Sequence, residues 1–416
     1  MRKVLGLRCI ACAKEHGLDA APYICPSCGG NLQVVYDYRA IRKKLTRRAL
    51  ARDTERTLWR YWEILPLDDR RLIPAPQVGW TPLYEAPRLA RGLGLRGLHL
   101  KDDGRNPSAS FKDRANAVVL GRALRLGVDV VTTASTGNAA SSLACLAAGL
   151  PLKTVIFVPE TAPEAKIAQL LVFGATVVAV RGTYDDAFDL CGRAAREYGW
   201  YNRSTGVNPF TREGKKTGAF ELCEQLGWEV PDLVFVPVGD GNIISGMWKG
   251  FTDLRALGLI DRLPRLAAVQ AEGSAAVKNA VEGDGTIRPV SGKTVADSIS
   301  VSLPRDGLAA VQAVRESRGF AVAVSDAEIL AAIPELARGA NVFAEPAAAA
   351  AWAGLKKAAA RGLLRGSETA AVMVTGNGLK DVASAMKSVG QPQRVNPDLA
   401  ELKRLMRKLG FRRGGG

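Results

Sequence analysis

The stretch Asn106-Pro107-Ser108-Ala109-Ser110-Phe111-Lys112-Asp113-Arg114 runs straight into an apolar-periodic segment, Ala115 to Leu126. A short polar loop ahead of that periodicity reads as a loop opening a helix. Lys112 then stands at the helix mouth, behind the ring of Phe111. An amine kept from bulk water there can lose its proton and hold an aldehyde as a Schiff base. The same residues would serve equally as the start of a surface helix. The choice rests on whether other loops are placed to complete a site.

Around this stretch, short apolar runs alternate with helical ones. We expect strands at Leu98 to Lys101, Val128 to Thr133, Thr154 to Val158, Thr176 to Val180, Leu233 to Val238, Leu266 to Ala271 and Ala370 to Val374. Helices are expected at Asn138 to Ala148, Glu164 to Phe173, Asp185 to Tyr198 and Ile243 to Leu257. Apolar strands separated by helices of roughly 10 to 15 residues indicate parallel sheets covered on both faces. At 416 residues the chain is long enough for two or three domains.

Three polar loops fall where such strands end. Ser135-Thr136-Gly137-Asn138 opens a helix, and its hydroxyls and free N–H groups suit a carboxylate, although Ser, Thr and Asn are also ordinary capping residues. Val238-Gly239-Asp240-Gly241-Asn242-Ile243 opens another, and its glycines let the backbone wrap a phosphate. Asp240 is out of place beside an anion and must point away, as a helix cap would. Thr375, in Val374-Thr375-Gly376-Asn377-Gly378, offers a hydroxyl that can meet a pyridine nitrogen without protonating it. Each loop alone also reads as a plain turn.

Composition narrows the chemistry. The chain has two histidines, His16 and His99, so a Ser-His-Asp triad or a His-ligated catalytic metal has almost nothing to use. The net charge of +16 gathers in Arg39, Arg42, Lys43, Lys44, Arg47 and Arg48, and in Lys403, Arg404, Arg407, Lys408, Arg412 and Arg413. Both segments read as amphipathic helices, with Ile41, Leu45 and Ala49 on one apolar face and Leu402, Leu405, Met406 and Leu409 on the other. We expect solvated faces that at most steer anionic substrates, and no nucleic-acid surface, since few aromatics interleave with the charges. No run of about 18 apolar residues appears, so no membrane span is expected. The opening residues lack an apolar signal core, which implies a cytoplasmic chain.

Cys9, Cys12, Cys25 and Cys28 form two Cys-x2-Cys knuckles separated by twelve residues. Four thiolates around a tetrahedral ion make a structural zinc ribbon with no position left open for substrate. Disulfides do not suit a chain without a secretory signal. Cys145, Cys191 and Cys223 fall in apolar stretches as core thiols.

Taken together, Lys112, the Ser135–Asn138 loop, the Gly239–Ile243 loop and Thr375 resemble the fold-type II pyridoxal phosphate enzymes, and among them the threonine synthases. Ser108-Ala109-Ser110 stands where that family's lysine motif usually has Thr-Gly-Ser. Phe343-Ala344-Glu345-Pro346-Ala347 and Thr375-Gly376-Asn377-Gly378-Leu379-Lys380-Asp381 are also similar to family segments, and a zinc ribbon occurs in some members. The resemblance covers roughly residues 75 to 390. It implies an α/β fold with two open parallel-sheet domains and an N-terminal zinc ribbon. Its parts would be a ribbon at 1–37, a large cofactor-binding domain at 38–105 and 208–390, a small domain at 106–207, and a basic tail at 391–416.

For function, the resemblance implies that O-phospho-L-homoserine and water give L-threonine and phosphate, in a homodimer acting in amino-acid biosynthesis. Lys112 would hold pyridoxal 5'-phosphate and act as the base. Asn138, Gly239, Asp240, Gly241, Asn242, Ile243 and Thr375 would contact the cofactor, and Lys101, Ser135, Thr136 and Gly137 the substrate. One region departs from the pattern: Thr205, Gly206 and Thr211 stand where Asn, Ser and Arg are expected near the substrate phosphate. Arg212, Lys215 or Lys101 would have to substitute. A threonine or serine dehydratase needs no such phosphate pocket and is the second expectation. An idle zinc-ribbon binding protein is the third, and it has no need of all these loops.

Overall fold

A computed structural model describes residues 3–18 and 23–411. Arg412, Arg413 and the terminal Gly414-Gly415-Gly416 of the expected basic tail lie outside the described residues, as do Met1 and Arg2. The strands, in chain order, are β1 Val4–Cys9, β2 Glu15–His16, β3 Leu32–Tyr36, β4 Leu83–Glu85, β5 Gly97–Asp102, β6 Val130–Ala134, β7 Lys153–Pro159, β8 Thr176–Val180, β9 Tyr201–Asn202, β10 Leu233–Pro237, β11 Arg265–Ala271, β12 Phe320–Val324 and β13 Thr369–Val374. They form a three-stranded ribbon sheet (β2-β1-β3), a six-stranded sheet (β12-β11-β10-β13-β5-β4) and a four-stranded sheet (β8-β7-β6-β9).

The four-stranded sheet is parallel throughout, and the six-stranded one is parallel except for the antiparallel edge strand β4. Every residue of β10, Leu-Val-Phe-Val-Pro, is buried, as a strand covered on both faces requires. The helix Pro346–Ala360 supplies one cover. Its alanine run, Ala347 to Ala351, is wholly buried, and proline at its first turn fits the place where no N–H partner exists. Strand β12 was not among the expected strands. Two of its five residues are alanine, a helix former, and pairing with β11 (Ala267 with Phe320, Val269 with Val322) overrides that preference.

The basic segment after the ribbon is not one helix. Asp37 caps Tyr38–Arg42, and the Thr46 hydroxyl accepts from Ala49 N at 3.1 Å to start a second helix, Arg47–Arg52. The basic helix Leu399–Lys408 forms as expected, with no buried residue. No helix among the described residues is long and apolar enough to cross a membrane. Asn31, just past the second cysteine knuckle, ties the ribbon to the body. Its Nδ2 donates to Gly206 O at 2.9 Å, Arg305 O at 3.0 Å and Asp306 Oδ1 at 2.9 Å.

The helix Lys112–Leu126 is anchored at its third residue. Arg114 is fully buried; its Nε meets Asp103 at 2.6 Å and its two Nη atoms meet Glu221 at 2.6 and 2.7 Å. Lys101 joins the same carboxylate at 2.8 Å. Close approach also matters here, because a Cβ on Gly214 of the helix Phe210–Lys215 would collide with the Arg114 carbonyl. Burial alone would raise Glu221, yet the Arg114 and Lys101 charges hold its carboxyl at about 2.

Removing one member of such a network strands its partners. We expect Arg114→Ala to cost on the order of 3–5 kcal/mol in urea denaturation, and a cost under about 1 kcal/mol would refute the anchoring role. A carboxyl depressed on folding stabilises above its ordinary range and loses that contribution as pH falls toward the folded value. Stability should therefore drop between pH near 4.5 and about 2, and Glu221→Gln should flatten that window.

Candidate active site

Four loops at the carboxyl ends of parallel strands converge, which is where open α/β sheets place their ligands. The lysine loop follows β5, the 135–138 loop follows β6, the glycine loop follows β10 and Thr375 follows β13. Register brings two of them together, since Val374 pairs with Asp102 across the β13–β5 ladder. The ladder is then prolonged between the loops. Phe111 N donates to Thr375 O at 2.8 Å, Asn377 N donates to Ala109 O at 3.1 Å, and Ser110 and Gly376 form an isolated bridge.

Lys112 is the first residue of its helix and lines both a small hollow of about 40 Å³ and a larger cleft of about 680 Å³. Loss of solvation lowers its pKa; Asp240 and Glu345 oppose that shift, and Arg203 adds to it. The small hollow is lined by Lys112, Asn138, Gly239 to Ile243, Glu345 and Thr375, among others. Ser135, Thr136 and Gly137 line the larger cleft beside Lys112 and Asn138.

The two helix N-termini facing this space lack side-chain caps. Asn242–Ala256 starts at Gly241, whose φ of +91° favours glycine, and Asn138–Ala147 starts at Gly137; neither helix makes a side-chain capping hydrogen bond. The reading of Ser135 to Asn138 as an ordinary cap is thus not what the structure shows. The first N–H groups of each helix are left for an anion. A lysine amine, a free hydroxyl-bearing Thr375 and an uncapped helix N-terminus around one hollow fit pyridoxal phosphate.

Asp240 does not turn away from the site: it lines both the hollow and the cleft, and it does not cap its own helix. Its Oδ1 accepts from Arg305 N at 3.1 Å, and its carbonyl accepts from Asp306 N at 2.9 Å, so it holds the facing lip. Asn242 also lines the hollow, and its buried side chain accepts from Lys215 Nζ at 2.6 Å and donates to Asp306 at 2.7 Å. Asn138 donates to both oxygens of Glu345, at 2.9 and 3.0 Å.

Lys101, expected at the substrate, does not reach it. Its amine is fully buried against Glu221, Thr81 O and Gln225, and it lines neither space, so it is a structural cation rather than a substrate ligand. Glu345 and Arg203 were not singled out from sequence as site residues. Glu345 had a local signal, a carboxylate before the proline that opens an alanine-rich helix. Arg203 had none.

At the ribbon, the four cysteine sulfurs lie within 4.8 Å of one another, with Cys9 to Cys28 at 3.5 Å and Cys12 to Cys25 at 3.7 Å. Thiolate bonds of about 2.3 Å place tetrahedral sulfurs roughly 3.8 Å apart, so the set fits one ion. Cys191 and Cys223 are buried and Cys145 is half-buried.

Residues 75–376 match the family model described as pyridoxal-phosphate dependent enzyme. The chain belongs to that family. Among its relatives, the threonine synthase of Methanocaldococcus jannaschii is 40% identical over 405 residues, 97% of this chain and 99% of that one. The threonine synthase of Methanosarcina acetivorans is 37% identical over 400 residues, covering 95% and 97%. Solved structures are similar as well. Threonine deaminase isoform 2 of Solanum lycopersicum has a TM-score of 0.65 at 24% identity, over 74% of this chain and 87% of that one. An L-serine ammonia-lyase of Rhizomucor miehei has a TM-score of 0.65 at 22% identity, over 74% and 96%. At those identities the structures speak for the fold.

Ala109, where the family's lysine motif has glycine, takes φ of +60°. A left-handed conformation costs a residue with a Cβ roughly 1–2 kcal/mol. We expect Ala109→Gly to raise stability by about 0.5–1 kcal/mol, once the greater freedom of glycine in the unfolded chain is discounted. An unchanged or lower denaturation midpoint would show that the Ala109 methyl packs usefully instead.

Proposed function

We propose that this enzyme is a threonine synthase, converting O-phospho-L-homoserine and water to L-threonine and phosphate. The observation that carries the reading is a desolvated lysine at the mouth of its helix, set in one hollow with an uncapped helix N-terminus and Thr375. Threonine synthases identical at 40% and 37% over nearly the whole chain support it.

Lys112 is the residue that would hold the cofactor aldehyde. Bound there, pyridoxal phosphate supplies the electron sink for the charge released when Cα loses its proton. Lys112, its pKa lowered by burial, takes that proton as base and moves protons at Cβ. Ser135, Thr136 and Gly137 hold the substrate carboxylate at the start of Asn138–Ala147. The N–H groups of Gly239 to Ile243 would hold the cofactor phosphate, Asn138 would serve its ring oxygen, and the Thr375 hydroxyl would serve its ring nitrogen without protonating it. Phosphate departs from Cγ and water adds at Cβ.

The same proposal assigns a structural zinc ion to Cys9, Cys12, Cys25 and Cys28, on the strength of an all-thiolate set. It places a homodimer in the cytoplasm, acting on a small amino acid and binding no nucleic acid. It keeps the division into a ribbon at 1–37, a large domain at 38–105 and 208–390, a small domain at 106–207 and a basic tail. The missing residues at Thr205, Gly206 and Thr211 favour a dehydratase as the second reading.

Two assays decide. Release of inorganic phosphate from O-phosphohomoserine is expected, and release of a keto acid from threonine without it would replace the proposal by the second reading. Lys112→Ala should lose the visible absorbance of the bound cofactor and on the order of 10³-fold or more in rate. Elemental analysis should find one zinc per chain, lost with Cys12→Ser; a Cys12→Ser protein that keeps its zinc would refute the ligand set.

A further inference from the structure

Arg203 follows β9, and its backbone N–H donates to Thr132 O at 2.9 Å. Its side chain is buried, with 1% of the residue exposed, and it lines the larger cleft beside Thr133, Tyr184 and Ser204. Nε and Nη2 are sealed from solvent with no hydrogen-bond partner among the described residues. Burial lowers the guanidinium to about 10, with Tyr184 and Asp240 pulling it back. A desolvated, unpaired guanidinium is costly unless something completes it.

Other cations near the departing Thr205–Thr211 region have partners: Arg305, which lines the same cleft, reaches Asp185 at 3.1 Å. Arg212 is bound to Asp306, Ser245 and Leu32 O. Lys215 donates to Asn242, and Lys101 is locked to Glu221 outside the cleft. Arg203 also lies close enough to depress Lys112 and Lys215, so the cations crowd one another. Asp240 is, among the described residues, the one carboxylate in both linings, and its Oδ1 is already taken by Arg305 N. Such a charge balance calls for an anion.

We propose that Arg203 anchors a phosphate ester carried by the substrate, and so sets specificity where the family's usual residues are absent. This rests on the reading of the site as one for O-phosphohomoserine. The guanidinium fork matches two phosphate oxygens. The cofactor phosphate has its own hollow, whose lining does not include Arg203. The substrate carboxylate has the start of Asn138–Ala147.

The test uses the cofactor-loaded enzyme, in which the cofactor's phosphate site is filled. Inorganic phosphate should raise the melting temperature of the wild type and scarcely that of Arg203→Met. Without phosphate, Arg203→Met should melt higher than the wild type, because an unpaired buried charge has gone. Its KM for O-phosphohomoserine should rise on the order of 30-fold or more while kcat changes little. Binding of L-threonine, which carries no phosphate, should be unaltered. Arg203→Lys should recover part of the phosphate response, and it carries the same comparisons if the methionine variant does not fold. An unchanged KM with an unchanged phosphate response overturns the assignment. So does an equal loss of L-threonine binding, which would give Arg203 to the carboxylate. If the wild type releases no phosphate from O-phosphohomoserine, the functional reading fails, and the melting response to phosphate still judges Arg203.

Discussion

The ion pairs of Arg114 with Asp103 and Glu221 hold the site in shape. Arg114 lies two residues beyond Lys112, on the opposite flank of the same helical turn. Its partners come from the loop before the lysine and from the helix Thr217–Gln225. Asp103 also accepts from Asn106 Nδ2 at 2.7 Å, so the loop's entry and the helix's first turn are clamped to one carboxylate. Lys112 is thus aimed by charges that never touch a ligand. Charge pairs this deep survive only because every partner is present.

Around that clamp the cleft divides its electrostatics. Carboxylates that would repel an anion are occupied elsewhere: Asp240 by the Arg305 backbone, Glu345 by Asn138, and Asp306 by Asn31, Arg212, Asn242 and Ser245. Asp185 and Asp297, which also line the larger cleft, pair with Arg305 and Lys166, and helix N-termini, Thr375, Lys112 and Arg203 are among the groups left facing the open space. Burial therefore works twice, lowering the pKa of the Lys112 amine and sharpening the attraction for anions.

Much of this was legible in the sequence because it is local. A strand, a glycine or hydroxyl loop and a helix in succession can be read from neighbouring residues, and β7, β8 and β10 lie close to where periodicity placed them. Lys112, the 135–138 loop, the glycine loop and Thr375 were legible for that reason. Residues whose role depends on distant partners were not. Lys101 sits at the end of a strand beside the site, and nothing local reveals that Glu221, far along the chain, takes its charge. Arg203 follows a strand of two residues, too short to show a period, and its lack of a partner exists only in three dimensions. The basic segment misled in a third way: Thr46 within an apolar rhythm is a helix start, and periodicity does not register such a break.

The Asn31 amide gives the ribbon a reach beyond its own fold. It hands its protons to the Gly206 and Arg305 carbonyls and to Asp306, and Asp306 in turn holds Asn242 at the first turn of the anion-facing helix. The cysteine knuckle and the glycine loop are therefore only two side chains apart. The small sheet is no detachable ornament; it is a strut, and whatever stiffens its knuckles also stiffens the floor on which catalysis stands.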